Sequence, residues 1–310
     1  MAVNPTCLSL VALIVLSACS RYHGVDPHLD GVFPDRLSGW GLFATRDGRL
    51  VPADGVVPYE LNTTLFSDYA DKSRTVWMPA GRAAGYRAGG VLEFPAGTIL
   101  TKTFAFPRDN APDRLVETRL LVRQPGGWVA LEYVWDRDQS DAKLEVSPAP
   151  VPIEHGGRSF YYRIPNVNQC GACHEAGEPL GPTARNLNRG DQLARWVKAG
   201  YLDGVPPAGA PRAPVWDDPQ TGSAGDRVRA YLDVNCGSCH RPATKASRTG
   251  YLLRAQDPAP TRCQADTIIT RMETLDSEKT MPVLGHDVVH REAVTLIREW
   301  AATLKPCYNR

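Results

Sequence analysis

Two short cysteine motifs contain the residues of this sequence whose types and spacing could do chemistry. They are Cys170-Gly-Ala-Cys173-His174 and Cys236-Gly-Ser-Cys239-His240. Two cysteines three positions apart lie on one side of a helical turn, where their thiols can form thioethers with the two vinyl groups of one porphyrin. The adjacent histidine then lies close enough to bind the iron. The sequence therefore predicts two covalently attached haem c groups.

Zinc binding and dithiol redox chemistry are the alternatives for two CxxC pairs. The halves of a zinc site are usually about 15–20 residues apart, but Cys173 and Cys236 are much further apart. A histidine that directly follows both pairs also has no role in a zinc ribbon. A thioredoxin-like site needs one CxxC within a βαβ pattern, which this sequence does not show. Haem attachment is therefore the favoured interpretation.

Met281-Pro282 offers an axial ligand for the second haem. It lies 41 residues after His240, before a predicted terminal helix. The order of helix, CxxCH, loop, Met-Pro and terminal helix resembles a small class I cytochrome c, in which a methionine thioether binds opposite the histidine. Such ligation raises the reduction potential and leaves no open position on the iron, which suits electron transfer. The competing ligands are Met272, in a predicted helix over 267–275, and His286 and His290, the last expected at the surface of the terminal helix.

The first motif lacks a comparable ligand nearby. Neither Met nor His occurs between His174 and Cys236. A distal ligand would have to be His155, Met78, Lys198 or a residue of the C-terminal region. Otherwise the iron is five-coordinate or binds water, and an open iron can bind oxygen, nitric oxide or peroxide. The ligation of this haem decides between an electron carrier and an enzyme or gas sensor.

The N-terminus predicts export. The apolar run Leu8–Leu16 is too short to span a bilayer and has the size of a signal-peptide core. Leu16-Ser17-Ala18-Cys19 resembles a bacterial lipobox, in which the cysteine is lipidated, although no Lys or Arg precedes the apolar run. Ser20 after the cysteine favours the outer membrane of a Gram-negative bacterium, facing the periplasm. An uncleaved anchor and an ordinary signal peptide are the alternatives.

Export leaves two of the eight cysteines without a predicted role. Cys7 belongs to the signal peptide, Cys19 to the lipobox and four to the haem motifs. Cys263 and Cys307 remain, and a leftover pair in an oxidising compartment favours a disulfide over two buried thiols.

Length and composition predict several domains and no nucleic-acid partner. The chain has 310 residues and a formal net charge of +1. A length above 300 residues favours two or three domains, and a charge near zero gives no sign of a phosphate-binding surface. The predicted divisions are a signal peptide over 1–18, a lipidated cysteine and tether over 19–34, a β-rich domain over 35–165, a first haem-binding segment over 166–222 and a cytochrome c-like domain over 223–310.

Alternating residues predict an antiparallel β domain, sandwich-like or barrel-like, before an all-α region. Arg114–Arg123 and Trp128–Asp136 both alternate, and Gln124-Pro-Gly-Gly127 between them is a turn signal. In the first run Val116, Thr118, Leu120 and Val122 share one face, while Glu117, Arg119 and Arg123 share the other. Further strands are predicted over 91–94 and 98–106, and helices over 191–200, 223–236 and 288–304. The segment 66–74 is predicted to be a solvated loop with buried aromatic anchors, the alternative being a surface that contacts a partner or the haem.

Nearly the whole mature chain resembles a family of bacterial dihaem c-type cytochromes with a β-rich N-terminal half. The resemblance implies haem c binding, export, and electron transfer between redox donor and acceptor proteins, and it brings no defined substrate. A dihaem peroxidase-like enzyme or gas-binding sensor is the alternative, and a β domain that binds a carbohydrate or a cell-surface partner is a weaker one. The stretches that carry the resemblance are 61–70, 94–98, 117–121, 133–136, 164–166, 180–188 and 229–236.

Overall fold

The structure is a computed structural model that describes residues 24–46, 49–166, 168–169, 174, 179–204, 206, 208–276, 279–283 and 286–307. The predicted signal peptide, Cys19, Cys170 and Cys173 lie outside these residues. Within them, no helix combines the length and apolar character that crossing a membrane requires.

Twelve strands, five α-helices and three short 3-10 helices make up the described secondary structure, the 3-10 helices being Leu37–Trp40, Pro219–Thr221 and Lys245–Thr249. The strands are β1 Phe43–Arg46, β2 Arg49–Pro52, β3 Val57–Pro58, β4 Asp71–Trp77, β5 Ala84–Gly85, β6 Ile99–Arg108, β7 Ala111–Gln124, β8 Gly127–Trp135, β9 Ala142–Leu144, β10 Val151–His155, β11 Arg158–Tyr162 and β12 Leu202–Asp203. The helices are α1 Ala184–Leu187, α2 Gln192–Lys198, α3 Ala224–Asn235, α4 Arg262–Glu273 and α5 Arg291–Ala302.

A six-stranded antiparallel sheet dominates the N-terminal half. Its strand order is β3-β4-β6-β7-β8-β9. The predicted hairpin is present, since β7 and β8 pair from Glu117↔Val134 to Gln124↔Gly127. Together with the five helices, this sheet confirms the prediction of a β-rich part followed by a helical part. Six of the twelve described strands form this open sheet, with β3 and β9 at its edges, and it is not a closed barrel; the other six form three two-stranded sheets.

Two sequence predictions of local structure in the β-rich part are wrong. The segment 66–74, expected as a solvated loop, contains the start of β4, which pairs with β6 inside the sheet. Arg74 there is only 8% exposed. The second error is the strand predicted over 91–94, where the structure has only single bridges, Gly85↔Glu93 and Val91↔Thr183. Charged residues in β4 led to the prediction of an exposed loop. In the structure, other parts of the chain cover the face on which they lie.

One face of the sheet packs on the N-terminal segment. Leu120, Val122 and Tyr133 lie in a core with the fully buried Trp40. The indole Nε1 of Trp40 donates a 2.7 Å hydrogen bond to the Tyr133 hydroxyl, which in turn donates to the carbonyl of Pro34. The aromatic core is therefore held by hydrogen bonds as well as by apolar burial, because a buried polar group needs a partner.

The C-terminal helices surround a second core. Helix α3 begins at a capping box, as predicted, in which Ser223 and Asp226 each accept a backbone N–H of the other. Its buried side chains pack against α4 and α5 around Leu232, Ile297 and Trp300. The terminal helix begins at Arg291, later than predicted, and a disulfide joins Cys263 near the start of α4 to Cys307 beyond α5. This is the pairing expected from the sequence.

Candidate haem site

The second cysteine motif continues helix α3 by one turn. The amide of Cys236 donates to the carbonyl of Leu232 at 2.9 Å, and the amide of His240 donates to the carbonyl of Cys236 at 2.9 Å. Cys236, Cys239 and His240 consequently line the same cavity. This is the arrangement that attachment of both thiols to one porphyrin requires.

Gly237 lets this turn lie close to its neighbours. A Cβ atom at this position would lie 2.5 Å from the backbone oxygen of Asp233 and 3.2 Å from Cγ of Arg254. The loop that carries Arg254 is held by Arg229, which donates hydrogen bonds to the carbonyls of Arg254 and Ala255. The lack of a side chain at Gly237 therefore allows the motif to pack closely against Asp233 and Arg254.

Hydrogen bonding sets the proton position on His240. Its Nδ1 lies 3.2 Å from the carbonyl oxygen of Tyr251, and because a carbonyl can only accept, Nδ1 carries the hydrogen. Burial lowers the pKa of this imidazole, so the ring is favoured in its neutral form. A neutral ring protonated at Nδ1 leaves the Nε2 lone pair for a metal, and an outer hydrogen bond of this kind is typical of iron- and zinc-binding histidines.

The two thiols of the second motif share this enclosed setting. Neither Cys236 nor Cys239 takes part in the disulfide. Burial, followed by the charge of the neighbouring Cys239, raises the pKa of Cys236 to about 12. In the described part of the chain no three His, Cys, Asp or Glu side chains cluster as ligands of a bare metal ion. The donors that face the cavity, two thiols and one imidazole, are those that covalent attachment of haem c uses.

The cavity lies between the β sheet and the C-terminal helices. Its volume is about 340 Å³, within the range of roughly 300–1,000 Å³ that is usual for small-molecule and cofactor sites. Histidines of both motifs, His174 and His240, line it. The structure thus brings the only described residue of the first motif to the same enclosure as the second motif.

Both methionines considered for the second haem reach this cavity. Met281 and Met272 line it. The amide of Met281 donates a 3.0 Å hydrogen bond to the carbonyl of Arg271, which fixes the Met281 backbone beside the end of α4. Met272 is 7% exposed and belongs to the core between α4 and α5. Met281 remains the better ligand candidate because its side chain is not committed to that core.

His286 and His290 do not line the cavity. Nε2 of His286 is 3.2 Å from the Thr280 hydroxyl. His290 precedes α5 as its N-cap residue and stacks on Phe66 with ring centroids 4.0 Å apart, and its Nδ1 is 3.0 Å from the Tyr231 hydroxyl. Burial lowers the pKa of His290 to about 4. The expectation that His290 lies on the surface is wrong, since an aromatic cluster covers it.

The candidates for a distal ligand of the first haem also lie away from the cavity. His155 packs beside Phe106 with ring centroids 5.5 Å apart. Met78 is 4% exposed in the core around α1 and α2, and Lys198 is exposed on α2. None of the three is among the described residues that line the cavity with His174.

Two asparagines that the sequence analysis did not single out position the loop above the motifs. The side chain of Asn186 accepts from the Thr63 amide and donates to the Thr63 carbonyl, both at 2.9 Å. Asn235, directly before Cys236, accepts from the amide of Phe66 at 2.7 Å. The role of Asn235 could not be predicted from the sequence, because its partner Phe66 is 169 positions away.

The sheet supplies the opposite wall of the cavity, and its residues were also missed. Arg74, Lys102, Arg119 and Glu132 line it. Alternation in β7 did place Arg119 opposite the apolar face, but nothing in the sequence showed that this polar face is covered.

Comparison with known proteins finds no matching family model, no similar curated protein and no similar solved structure. The resemblance to dihaem cytochromes therefore stays a prediction from the sequence. The geometry that the chain itself provides is a cavity holding one motif's two thiols, the histidines of both motifs and the side chain of Met281.

Proposed function

We propose that this protein is an exported dihaem c-type cytochrome that passes electrons between a donor and an acceptor protein in the periplasm. The observation that carries the proposal is the shared cavity, because His174 and His240 line it together with Cys236, Cys239 and Met281. Haem c, when bound, supplies a one-electron iron couple. The two motifs would hold one haem each through two thioethers and a histidine.

The chain's own residues perform the tasks that electron transfer needs. Tyr251 holds the His240 ring through its Nδ1–H and keeps Nε2 available for the iron. Met281 supplies a thioether from a backbone position fixed by Arg271. Apolar side chains such as Leu121, Leu253 and Ile268 line the enclosure and limit the access of water. Ligation, burial and exclusion of water are the means by which a protein sets a haem potential.

The finer architecture is part of the same proposal. Helix α3, the motif turn, the Met281 loop and helix α5 follow one another in the order of a class I cytochrome c domain. We also propose the division into a first haem-binding segment over 166–222 and a cytochrome c-like domain over 223–310. The signal peptide over 1–18 and the lipid on Cys19 belong to the same proposal. Retention of the Cys19→Ser variant in the membrane fraction would contradict the lipid anchor.

A haem count tests the cofactor proposal directly. The full chain is produced in a host that matures c-type cytochromes, and haem is measured by a pyridine haemochrome assay against protein concentration. We expect two covalent haems per chain, and one in each of the variants C170A/C173A and C236A/C239A. A count of zero, or a count that neither pair of substitutions lowers, would rule the proposal out.

A second function, peroxide reduction or gas binding at the first haem, draws on one observation. Three of the expected distal ligands, His155, Met78 and Lys198, are not among the described residues lining the cavity, whereas residues of the C-terminal region, the fourth possibility, do line it. An open first iron would be high-spin in the ferric state and would bind carbon monoxide when reduced. Two low-spin ferric haems in low-temperature EPR would instead favour electron transfer alone.

A further inference from the structure

A row of charged side chains crosses the sheet at the cavity. The strand register pairs Arg74 on β4 with Lys102 on β6, Lys102 with Arg119 on β7, and Arg119 with Glu132 on β8. Directly paired residues lie on the same face of a sheet, so the four side chains form one line across four strands. All four line the cavity that contains His174 and His240.

Positive charge exceeds negative charge on this face. Both carboxylates are engaged by one cation: Nη2 of Arg119 is 2.6 Å from Oε1 of Glu117, and its Nε is 3.2 Å from Oε2 of Glu132. Glu117 is also held by the Tyr162 hydroxyl, which donates to it at 2.5 Å. On this face Lys72, Arg74, Lys102 and Arg119 lie close enough to act on one another electrostatically, and these four cations outnumber the two carboxylates by a formal excess of two positive charges; Arg123 lies further along the same face.

The remaining cations form no ion pair with a carboxylate among the described residues. Lys72 donates to the carbonyl of Ala70 at 2.9 Å, and Nη1 of Arg74 donates to the carbonyl of Lys72 at 3.2 Å. Glu60, which lies near Arg74, is paired at the surface with Arg189. Nζ of Lys102 lies 4.8 Å from the centre of the Phe104 ring, and the surface that it keeps accessible lines the cavity.

Such an arrangement favours the entry of an anion into the cavity. Burial and repulsion from Arg119 and Arg74 lower the pKa of Lys102, and burial lowers that of Lys72 to about 7. Buried charges are normally paired. A haem carries two carboxylates, its propionates, and these would match the formal excess of two positive charges.

We propose that Lys102 and Arg74 bind the propionate carboxylates of a haem held in the cavity, so that the β sheet is the propionate-binding wall of this cytochrome. The proposal rests on the proposed haem function. In it, Arg119 is a positioning residue that keeps Glu117 and Glu132 away from the two binding cations. The haem can be the one on His174 or the one on His240, since both histidines line the cavity.

Replacement of Lys102 in the haem-loaded full chain tests the proposal. Lys102→Met removes the charge, Lys102→Arg keeps it, and Lys143→Met removes an exposed charge from β9 of the same sheet, where Lys143 forms an ion pair with Glu145 at 2.9 Å. Lys102→Gln serves as a second neutral variant if K102M does not accumulate. The readouts are a potentiometric titration of both haems and the propionate bending bands in resonance Raman spectra.

We expect K102M to lower the reduction potential of one haem and to move its propionate bands, because loss of a nearby positive charge favours the ferric form. One charge at roughly 10 Å in an effective dielectric near 20 changes a one-electron equilibrium about tenfold, which is about 59 mV. K102R and K143M should retain both potentials and bands. If K102M and K102Q behave like K143M, the proposal is wrong.

The same titration distinguishes the two haems and separates this proposal from the proposed function. A shift in the haem that shows the methionine–iron charge-transfer band assigns the propionates to the His240 haem, and a shift in the other assigns them to the His174 haem. Wild-type protein with two covalent haems and an unresponsive K102M overturns only the propionate wall. Wild-type protein without covalent haem overturns the proposed function itself.

Discussion

At the scale of single residues, the two motifs have the same chemistry but different described surroundings. His240 has a hydrogen bond from Nδ1 to the Tyr251 carbonyl and shares its cavity with Met281. His174 lines that cavity too, but the methionine and histidine proposed for its iron do not. Any functional difference between the two haems would therefore come from residues outside the CxxCH sequences.

The proposed ligand role of Met281 predicts the loss of a spectroscopic band. Met281→Ala should abolish the near-infrared methionine–iron charge-transfer band of one ferric haem and lower that haem's reduction potential, because a thioether ligand raises it. Met272→Leu, a change of similar volume in the adjacent core, should retain the band. A band that survives in M281A and disappears in M272L would show that the ligand is Met272.

The close packing of Gly237 predicts a penalty for a single methyl group. Gly237→Ala should lower the free energy of unfolding by about 1–3 kcal/mol, because the new Cβ would meet the backbone oxygen of Asp233. Gly126→Ala is the control, since a Cβ there has no atom within 4 Å, and its effect should stay within about 0.5 kcal/mol. Urea unfolding measures both. Equal effects would mean that the contact at Gly237 relaxes without cost.

Some residues of the site can be predicted from a short sequence motif, and others have roles that depend on contacts with distant segments. Cys236, Cys239 and His240 could be identified from the sequence because one helical turn places them together. Asn235 and Arg74 could not, since their roles arise from contacts with Phe66 and with the cavity that form only when distant segments meet. The prediction that His290 lies on the surface was wrong because the aromatic rings that cover it come from distant segments of the chain.

At the scale of elements, periodicity predicted the regular parts well. The β7–β8 hairpin and helix α3 have the turn and capping signals that the sequence contains. Strand β4 was missed because three of its first four residues, Asp71, Lys72 and Arg74, are charged and a buried strand normally shows apolar alternation. Periodicity in the sequence does not reveal a strand of this kind, because the segment that covers its charged face is known only from the structure.

The disulfide between Cys263 and Cys307 closes a loop that contains α4, the Met281 segment and α5. The two cysteines are 44 positions apart. In the chain-entropy description a loop of this length contributes about 4 kcal/mol, and measured effects are typically 2–4 kcal/mol. We expect the free energy of unfolding of C263S/C307S to be lower than that of the wild type by about 2–4 kcal/mol, so that the variant unfolds at a lower denaturant concentration. Added reductant should destabilise the wild type and leave the double variant unchanged; equal sensitivity would contradict the pairing.

At the scale of the whole molecule, the segment 61–69 joins the β-rich part to the helical part and covers the cavity. Phe66 from this segment stacks on His290, and the Tyr69 hydroxyl donates to Glu292 on α5 at 2.7 Å. Asp68 accepts hydrogen bonds from the amides of Asp287 and Val288 at 2.7 and 3.0 Å. The cavity depends on this junction, since residues of both parts line it.

The junction also predicts how stability depends on pH. Burial raises the pKa of Asp68 to about 6, against the opposing effect of its two backbone hydrogen bonds. The folded state therefore binds more protons than the unfolded state between about pH 4 and pH 6, so this carboxyl's contribution to stability is greatest below pH 4 and decreases as pH rises to 6. Asp68→Asn keeps an oxygen that accepts both amide hydrogens and does not titrate.

We expect D68N to match the wild type in free energy of unfolding near pH 4 and to exceed it by about 2–3 kcal/mol at pH 7, since one pKa unit corresponds to about 1.4 kcal/mol. Asp68→Ala is the control that removes the acceptor, and it should lose about 1–3 kcal/mol relative to D68N at every pH because two buried amides lose their partner. Urea unfolding followed by far-ultraviolet circular dichroism across this range measures all three. Parallel pH profiles for D68N and the wild type would show that the Asp68 carboxyl is solvated in the folded protein, and that the two parts of the chain meet less closely at Asp287 and Val288 than the hydrogen bonds imply.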